Sequence, residues 1–338
     1  MAPVSEQVFV VIPAYTVSKY IHTCLDSLIQ QTYPHWNAFI MDDGSTDNTL
    51  KILNEYAGKD KRFNVFSQAN SGVAKALNVL LDKLPSETEY IFYLDADDFI
   101  HSQTFEILMR YMKHIHPDMV ECAIRRVAQD ATNVDIEPID FSALPYQNVE
   151  DPKCCLTKST AVGMWINRVN KLYQWSKIKH IRFAKGLAYE EDYFYACEAN
   201  AGISTKILIP YALYSYRKNP LSATNLTARF QRYQTCGISR IWLSYEKFLK
   251  PNRVPAKYLV AFNRDLTQDA YRMILKKNLK KNRNEGERKE LFYRAVKELG
   301  DLINRGIIDT KYLRLPERLT LFFCMKRLYF FSRLFVFL

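Results

Sequence analysis

Two aspartates separated by one residue, in Asp95-Ala96-Asp97, are the clearest chemical signal in the sequence. They follow the apolar run 90–94, which is typical of a buried strand, so both carboxylates are expected to project into a cleft. Carboxylate oxygens suit Mg²⁺ or Mn²⁺, and such an ion is commonly shared with a diphosphate that completes its ligand shell. A polar turn that ends a strand, with Asp98 capping the next helix, is the alternative interpretation.

A second acidic turn follows another apolar run, residues 38–41, and extends from Asp42 to Asp47. Asp42 or Asp43 could accept hydrogen bonds from the N–H of a base or from a ribose hydroxyl. Ser45 and Asp47 have the side chains of helix caps, and acids near a helix start also suit the helix dipole. The turn therefore predicts both a ligand contact and a helix start.

Two further segments could contact phosphate. Asn70-Ser71-Gly72 precedes a predicted helix, and Gly72 could let backbone amides approach a negatively charged ligand. Arg217, with Ser222 nearby, could close over a diphosphate because a guanidinium matches phosphate geometry. A plain loop-to-helix turn and a surface turn before Pro220 explain the same residues without a ligand.

The elements that must position these residues alternate along the chain. The predicted strands cover residues 8–12, 38–41, 64–66, 90–94 and 119–124. The predicted helices cover residues 18–33, about 46–56, 72–84 and 105–114. This order predicts an α/β fold with a doubly wound, mainly parallel sheet and helices on both faces. Ligands bind at the carboxyl ends of strands in such sheets, which is where both acidic turns lie.

Charge and apolar patterning set the last third of the chain apart. The net charge is +11, and residues 271–338 hold 17 Lys and Arg against 7 Asp and Glu. We expect a domain in residues 1–225 and a helical, basic extension in residues 226–338. In residues 316–338, Phe and Leu alternate with Lys and Arg, which predicts a helix lying in an anionic membrane interface. A helix docked on the protein body is the alternative.

The seven cysteines show no regular spacing, which favours reduced thiols in the cytoplasm over a disulfide framework. No segment with the pattern of a secretory signal peptide precedes the first predicted strand.

Taken in this order, the motifs resemble those of the inverting family-2 glycosyltransferases of GT-A fold. The resemblance rests on residues 11–15, 41–47, 70–72, 93–98, 170–173, 186–194 and 213–217. It implies that Asp192 is the catalytic base with Glu191 beside it, although Glu190 leaves the register uncertain by one residue. It also implies a divalent cation, Mn²⁺ or Mg²⁺, bound by Asp97 with Asp95. One departure is Ala76-Leu77-Asn78, where many relatives have Ala-Arg-Asn and where Lys75 could substitute.

The resemblance further implies which residues bind the nucleotide sugar. The expected set is Pro13, Tyr15, Asp42, Asp43, Asn70, Gly72, Lys75, Asn78, Asp95, Ala96 and Arg217. The reaction would be an inverting transfer, of hexosyl type, from a uridine diphosphate sugar. The acceptor would be a hydroxyl of a lipid-linked or cell-surface glycan, such as lipopolysaccharide or capsule, at the inner face of the cell membrane.

Two other functions remain as alternatives. A sugar-phosphate nucleotidyltransferase normally has a Gly-rich basic loop after its first strand, whereas this chain has Pro13-Ala14-Tyr15-Thr16. A non-enzymatic protein could use the basic extension to bind nucleic acid or a membrane. That interpretation leaves the acidic turns unexplained, and a nucleic-acid partner is not expected.

Overall fold

The computed structural model describes residues 6–132, 137–149, 167–184, 191–219, 254, 256–271, 296–297 and 299–325. The chain divides into two compact units. The first comprises Met1–Pro152, Trp165–Gly186 and Glu191–Ser222, and the second comprises Lys153–Met164, Leu187–Glu190 and Ala223–Leu338.

The first unit is built from strands and helices that alternate over most of its length. The strands are β1 (Val8–Ala14), β2 (Trp36–Asp42), β3 (Phe63–Ser67), β4 (Tyr90–Tyr93), β5 (Phe99–Ile100), β6 (Met119–Val127), β7 (Gln147–Val149), β8 (Lys171–Gln174) and β9 (Lys206–Arg217). The helices are α1 (Ile21–Ile29), α2 (Thr49–Lys59), α3 (Val73–Lys83), α4 (Thr104–Ile115), α5 (Trp175–Ile178) and α6 (Glu191–Gly202). All five predicted strands and all four predicted helices of residues 8–124 are confirmed, with small shifts at their ends.

In the described part of the chain, these strands form one sheet in the order β3-β2-β1-β4-β8-β6-β9-β5, with β7 paired to β9. The β1 strand is parallel to both β2 and β4, so that Val10 lies between Ala38 and Phe92. Val10, Ala38 and Phe92 are fully buried, as expected for strands covered on both faces. This three-strand centre fixes the edge of the sheet where β2 and β4 end.

The sheet is mixed, because β8 runs antiparallel to both β4 and β6, and β5 runs antiparallel to β9. These strands were not predicted, since β5 has two residues and β8 has four, too few to show a period of two. The α2 helix also begins later than Ser45, whose hydroxyl accepts from the Thr16 backbone N–H. Asp47 lies one residue before the N-cap, Asn48, rather than at it, and accepts from the backbone N–H of Thr49.

The described part of the second unit is helical. It contains the helices Ala256–Ala270 and Leu315–Met325 and a short 3-10 helix, Thr310–Tyr312. Its buried residues include Phe262, Leu266, Leu302, Ile307 and Leu321. Within the residues described, none of the helices has the length and apolar character needed to cross a bilayer.

Candidate active site

The two acidic turns emerge at the same edge of the sheet. β2 and β4 lie on either side of β1 and run parallel to it, so their carboxyl ends point the same way. Asp42 and Asp43 come at the end of β2, and Asp95 follows β4 by two residues. The structure therefore brings together the two turns that the sequence marks as ligand-binding.

The turn after β4 is fastened to β9 through Asp98. Its carboxylate accepts from the Tyr214 hydroxyl at 2.8 Å and from the Arg217 backbone N–H at 2.7 Å. The same hydroxyl accepts from the Asp95 backbone N–H at 3.2 Å. Asp98 is almost fully buried and binds β9, so its predicted alternative role as a cap of the next helix is wrong.

Asp97 lies beside the end of β9. One of its carboxylate oxygens accepts from the Asn219 side-chain amide at 2.8 Å. Burial raises the pKa of Asp97, and the neighbouring charge of Asp95 raises it further. A carboxylate in this position is stabilised by a nearby cation, because a positive charge favours the ionised form.

Arg217 has contacts that the sequence did not predict. Its guanidinium is buried and donates to the backbone carbonyls of Asp97, Gln129 and Ala131 at 2.7–2.8 Å. These bonds tie the turn after β4 to the segment that follows β6. The predicted contact of Arg217 with a diphosphate stays a prediction; its other terminal nitrogen, Nη2, is buried and has no hydrogen-bond partner within the described residues. Ser222 lies outside the described residues.

Asp43 organises the turn after β2. Its carboxylate accepts from the backbone N–H groups of Ser71 and Gly72 and from the Gln68 side chain at 2.7 Å. Asp42 has one oxygen that accepts weakly from the Ser67 hydroxyl, while its buried Oδ1 has no partner within the described residues. The structure thus joins this turn to the loop before α3.

The remaining predicted donor-binding residues differ in exposure. Asn78 is buried and exchanges two hydrogen bonds with the backbone of Phe183, so its amide joins α3 to the segment before α6. Tyr15 is half exposed, and Lys75 lies on the exposed side of α3. Pro13 is partly buried, Ala96 is buried, and Asn70 and Gly72 are exposed in the loop that Asp43 holds.

The predicted catalytic acids stand in the first turn of α6, close to Arg168. The Arg168 guanidinium donates to Asp95 Oδ1, and its other terminal nitrogen lies 3.8 Å from Glu191 Oε1. Burial raises the pKa of Glu191 to about 7, with the charge of Asp192 adding to the rise and Arg168 opposing it. Burial also raises the pKa of Asp192, against the effect of Arg168. A carboxylate with a raised pKa is a stronger base than an ordinary one, which suits a group that accepts a proton from a hydroxyl.

Glu190, the third acid of this run, lies outside the described residues. Arg168 was missed by the sequence analysis, as were Tyr214 and Asn219. An arginine three residues before Lys171, next to a short strand, carries no spacing signal of its own. Only the fold shows that it meets two acids located 73 positions before it and 23 positions after it.

The chemistry of Asp95 and Asp97 suits a divalent cation of the kind that the family resemblance implies. Both supply carboxylate oxygens, and each side chain has a second oxygen besides the one bonded to Arg168 or Asn219. The described residues contain no group of three or more His, Cys, Asp or Glu able to hold a metal ion by themselves.

An α/β unit with acidic turns at the carboxyl ends of β2 and β4 is the arrangement that the family resemblance implied. The family model of glycosyl transferase family 2 matches residues 9–202, more than half of the chain. The chain belongs to this family, as its motifs predicted.

Relatives agree with this assignment. The putative glycosyltransferase EpsH of Bacillus subtilis is 30% identical over 236 residues, which cover 67% of this chain. The uncharacterized glycosyltransferase EpsJ of the same organism is 24% identical over 65% of this chain. The matches span 63% of the length of each of these two relatives.

Solved structures show the fold. S. aureus TarS 1–349 in complex with UDP-GlcNAc superimposes with a TM-score of 0.68 at 19% identity, covering 98% of this chain and 90% of that one. The mannosyltransferase PcManGT from Pyrobaculum calidifontis, in complex with GDP-Man and Mn²⁺, gives 0.51 at 14% identity, covering 97% and 85%. The predicted GT-A-type fold is confirmed.

Proposed function

We propose that this protein transfers a hexose from a nucleoside diphosphate sugar to a hydroxyl group of a growing glycan, with inversion at the anomeric carbon. The observation that carries the proposal is that two pairs of acids lie near each other at one edge of the sheet. One pair is Asp95 and Asp97, and the other is Glu191 and Asp192. Arg168 joins them, with Asp95 on one side and Glu191 on the other. Family membership favours this function over a nucleotidyltransferase or a non-enzymatic binding protein.

The donor would lie along the carboxyl ends of β1, β2 and β4. Asp42 or Asp43 would contact the base, and Tyr15 is exposed enough to stack on it. The backbone of the loop 70–72 would face the donor, held in place by Asp43. Uridine diphosphate is the nucleotide that we propose, and the likeness to TarS bound to UDP-GlcNAc supports it.

The chemistry follows from the acids. Asp192 takes the proton of the acceptor hydroxyl as its oxygen attacks the anomeric carbon, and the bond from that carbon to the diphosphate breaks. Attack from the side opposite the leaving group inverts the anomeric centre. Asp95 and Asp97 would hold Mn²⁺ or Mg²⁺, which supplies positive charge for the leaving diphosphate. Glu191 lies beside Asp192 and is affected by its charge, which raises the pKa of Glu191 further.

The proposed acceptor and the proposed location of the enzyme are argued from the two parts of the chain. Residues 1–225 would bind donor and acceptor, while the basic extension, residues 226–338, would hold the enzyme on the inner face of the cell membrane. A lipid-linked or surface polysaccharide suits that location. Relatives named for teichuronic acid biosynthesis and chondroitin synthesis match shorter parts of the chain, at 33% and 36% identity. Lipopolysaccharide and capsule are candidates of the same class.

A donor screen tests the proposal. The protein would be heated with each of a panel of nucleoside diphosphate sugars, with Mn²⁺ or with excess chelator, and hydrolysis of each donor would be followed. One uridine diphosphate sugar should raise the melting temperature and be hydrolysed, and chelator should abolish both effects.

Asp97→Asn tests the metal assignment within the same screen. The variant should fold, lose the metal-dependent protection and lose most of its hydrolysis, because one charged ligand is gone. Asn219→Ala is a matched control that removes a partner of Asp97 and keeps its carboxylate. Full metal-dependent activity in Asp97→Asn would rule out this metal site.

A further inference from the structure

The turn 167–170, directly before β8, presents Arg168 to the acids. Its last residue, Asn170, has a positive φ of 58°, which an asparagine tolerates better than most residues. The Asn170 side chain donates to the Cys122 carbonyl, and the Cys122 N–H donates back to the Asn170 carbonyl at 3.0 Å. The Tyr173 hydroxyl donates to the Arg168 carbonyl at 3.0 Å. The turn is thus attached to both β6 and β8.

Lys171 closes this turn from inside. Its ammonium donates to Asn167 Oδ1 and Asn170 Oδ1, each at 2.8 Å, and to the Val169 carbonyl at 3.1 Å. An ammonium has three N–H groups, so all of its donors can be used on one four-residue turn. The side chain is fully buried, and its contacts therefore do not compete with water.

A buried lysine needs a counter-charge, and here it is Glu121 on β6. The Glu121 carboxylate lies 3.7 Å from the Lys171 nitrogen and 2.6 Å from that of Lys206 on β9. Lys206 also donates to the Asn200 side chain in α6 at 3.2 Å. Apolar side chains could fill the same space at a lower cost in desolvation free energy than these buried charges. Both lysines face Glu121, but Lys171 also donates three hydrogen bonds to the turn 167–170.

We propose that Lys171 is a positioning residue for sugar transfer. By closing the turn 167–170 it fixes the Arg168 guanidinium between Asp95 on the donor side and Glu191 on the acceptor side. The spacing of the two acid pairs then depends on an ammonium that touches neither of them. The inference rests on the proposed function, and it adds a role for the Asn170-Lys171-Leu172-Tyr173 motif.

Two lysine variants of the same buried cluster test the inference. Lys171→Met and Lys206→Met each remove one ammonium from Glu121, but only the first removes the ammonium that closes the turn. Misplacement of a catalytic group by about 1 Å can cost roughly 100-fold in rate. Lys171→Met should therefore lower kcat by about 10- to 100-fold with little change in donor KM. Lys206→Met should keep kcat within about threefold of wild type, even if its melting temperature falls as much as that of Lys171→Met.

A double variant tests whether Lys171 acts through Arg168. Arg168→Gln should lower kcat, and adding Lys171→Met should lower it little further, because the group being positioned is already absent. Losses that multiply in the double variant would overturn the inference. If Lys171→Met does not fold, Asn167→Ala removes one of the three acceptors and should give a smaller loss of kcat in the same direction; an unchanged kcat there would contradict the inference.

Crystal structures of Lys171→Met and Lys206→Met give a readout that needs no activity. The Arg168–Asp95 ion pair should be lost or shifted in the first and kept in the second. An intact pair in Lys171→Met would overturn the inference. If the wild-type protein transfers no sugar from any donor, the proposed function fails, while these two structures still decide whether Lys171 positions Arg168.

Discussion

Glu191 and Asp192 place two carboxylates side by side in the first turn of α6, near one guanidinium. Glu191 is mostly buried, and burial raises its pKa from the ordinary value of 4.5 to about 7. The folded protein therefore binds a proton on Glu191 between these two pH values where the unfolded chain does not. This proton contributes to the free energy of unfolding. The contribution is fully present below pH 4.5 and is lost as the pH rises through 7.

Glu191→Gln should remove this dependence. The amide resembles the protonated acid, so the variant should be close to wild type in stability at pH 5 and more stable at pH 8. The gain at pH 8 should be on the order of 3 kcal/mol, since the pKa rises from 4.5 to about 7 and one pKa unit corresponds to about 1.4 kcal/mol. Urea unfolding at both pH values measures it. A stability difference that is the same at pH 5 and pH 8 would contradict the raised pKa of Glu191.

Sequence reasoning at the residue scale found the acids and missed their partners. Asp42, Asp43, Asp95 and Asp97 were predicted because each follows an apolar run, and strand ends are visible in sequence. Arg168 was missed because its partners are distant in the chain and only the fold brings them together. For Asn78 and Arg217, the resemblance implied ligand contacts, whereas the structure shows hydrogen bonds to backbone groups of the protein itself.

The turn after β2 is the element whose geometry depends most on one glycine. Gly44 has a φ of +73°, and a Cβ there would lie 2.7 Å from the backbone nitrogen of Asn70. The turn and the loop 70–72 therefore pack backbone against backbone. Asp43 bonds the same loop, so a disturbance at Gly44 should reach the expected donor-binding residues.

Gly44→Ala should lower the free energy of unfolding by about 2 kcal/mol, through the left-handed backbone and the close contact. It should also weaken donor binding in calorimetry. Gly58→Ala, in α2, is the matched control, because nothing lies within 4 Å of its added Cβ. That control should raise stability by about 0.5–1 kcal/mol, the usual gain for alanine in a helix. Unchanged donor affinity in Gly44→Ala would show that the turn does not shape the donor site.

At the scale of helices and strands, the sequence predicted the elements with a strong apolar pattern and missed the short or irregular strands. The buried strands β1, β2 and β4 appear in the sequence as continuous apolar runs. β9 was missed, because Pro210 and Tyr211 interrupt its apolar pattern. The pairing of β9 with β6 is irregular at the same place, since its register shifts between Cys122 and Ile124. Antiparallel pairing of β8 depends on contacts across the sheet that no local pattern records.

For the whole molecule, the second unit carries the predicted membrane contact. The helix Leu315–Met325 has Leu321 and Glu317 buried, while Leu315 and Phe322 are largely exposed. Its first turns therefore pack within the protein, so a cut at Pro316 would remove buried groups. Residues 326–338, with three basic and several aromatic side chains, lie outside the described part.

Removal of residues 326–338 should release the protein from anionic vesicles and leave transfer to a soluble acceptor unchanged. Each Lys or Arg near an anionic surface contributes about 1 kcal/mol, and buried apolar side chains add to this. High salt should weaken binding of the full chain without abolishing it. Flotation of both chains measures it, with neutral vesicles as the control. Equal flotation of the shortened chain would contradict the interfacial helix.

The most direct test of the whole account is sugar transfer by Asp192→Asn at saturating donor. A general base contributes about 10²–10⁴ in rate, so transfer should fall by that factor while donor affinity, measured by calorimetry, stays within about twofold of wild type. Glu191→Gln should lose less. Normal transfer in Asp192→Asn, with loss in Glu191→Gln, would move the base by one residue. Normal transfer in both variants would contradict the proposed role of this acid pair.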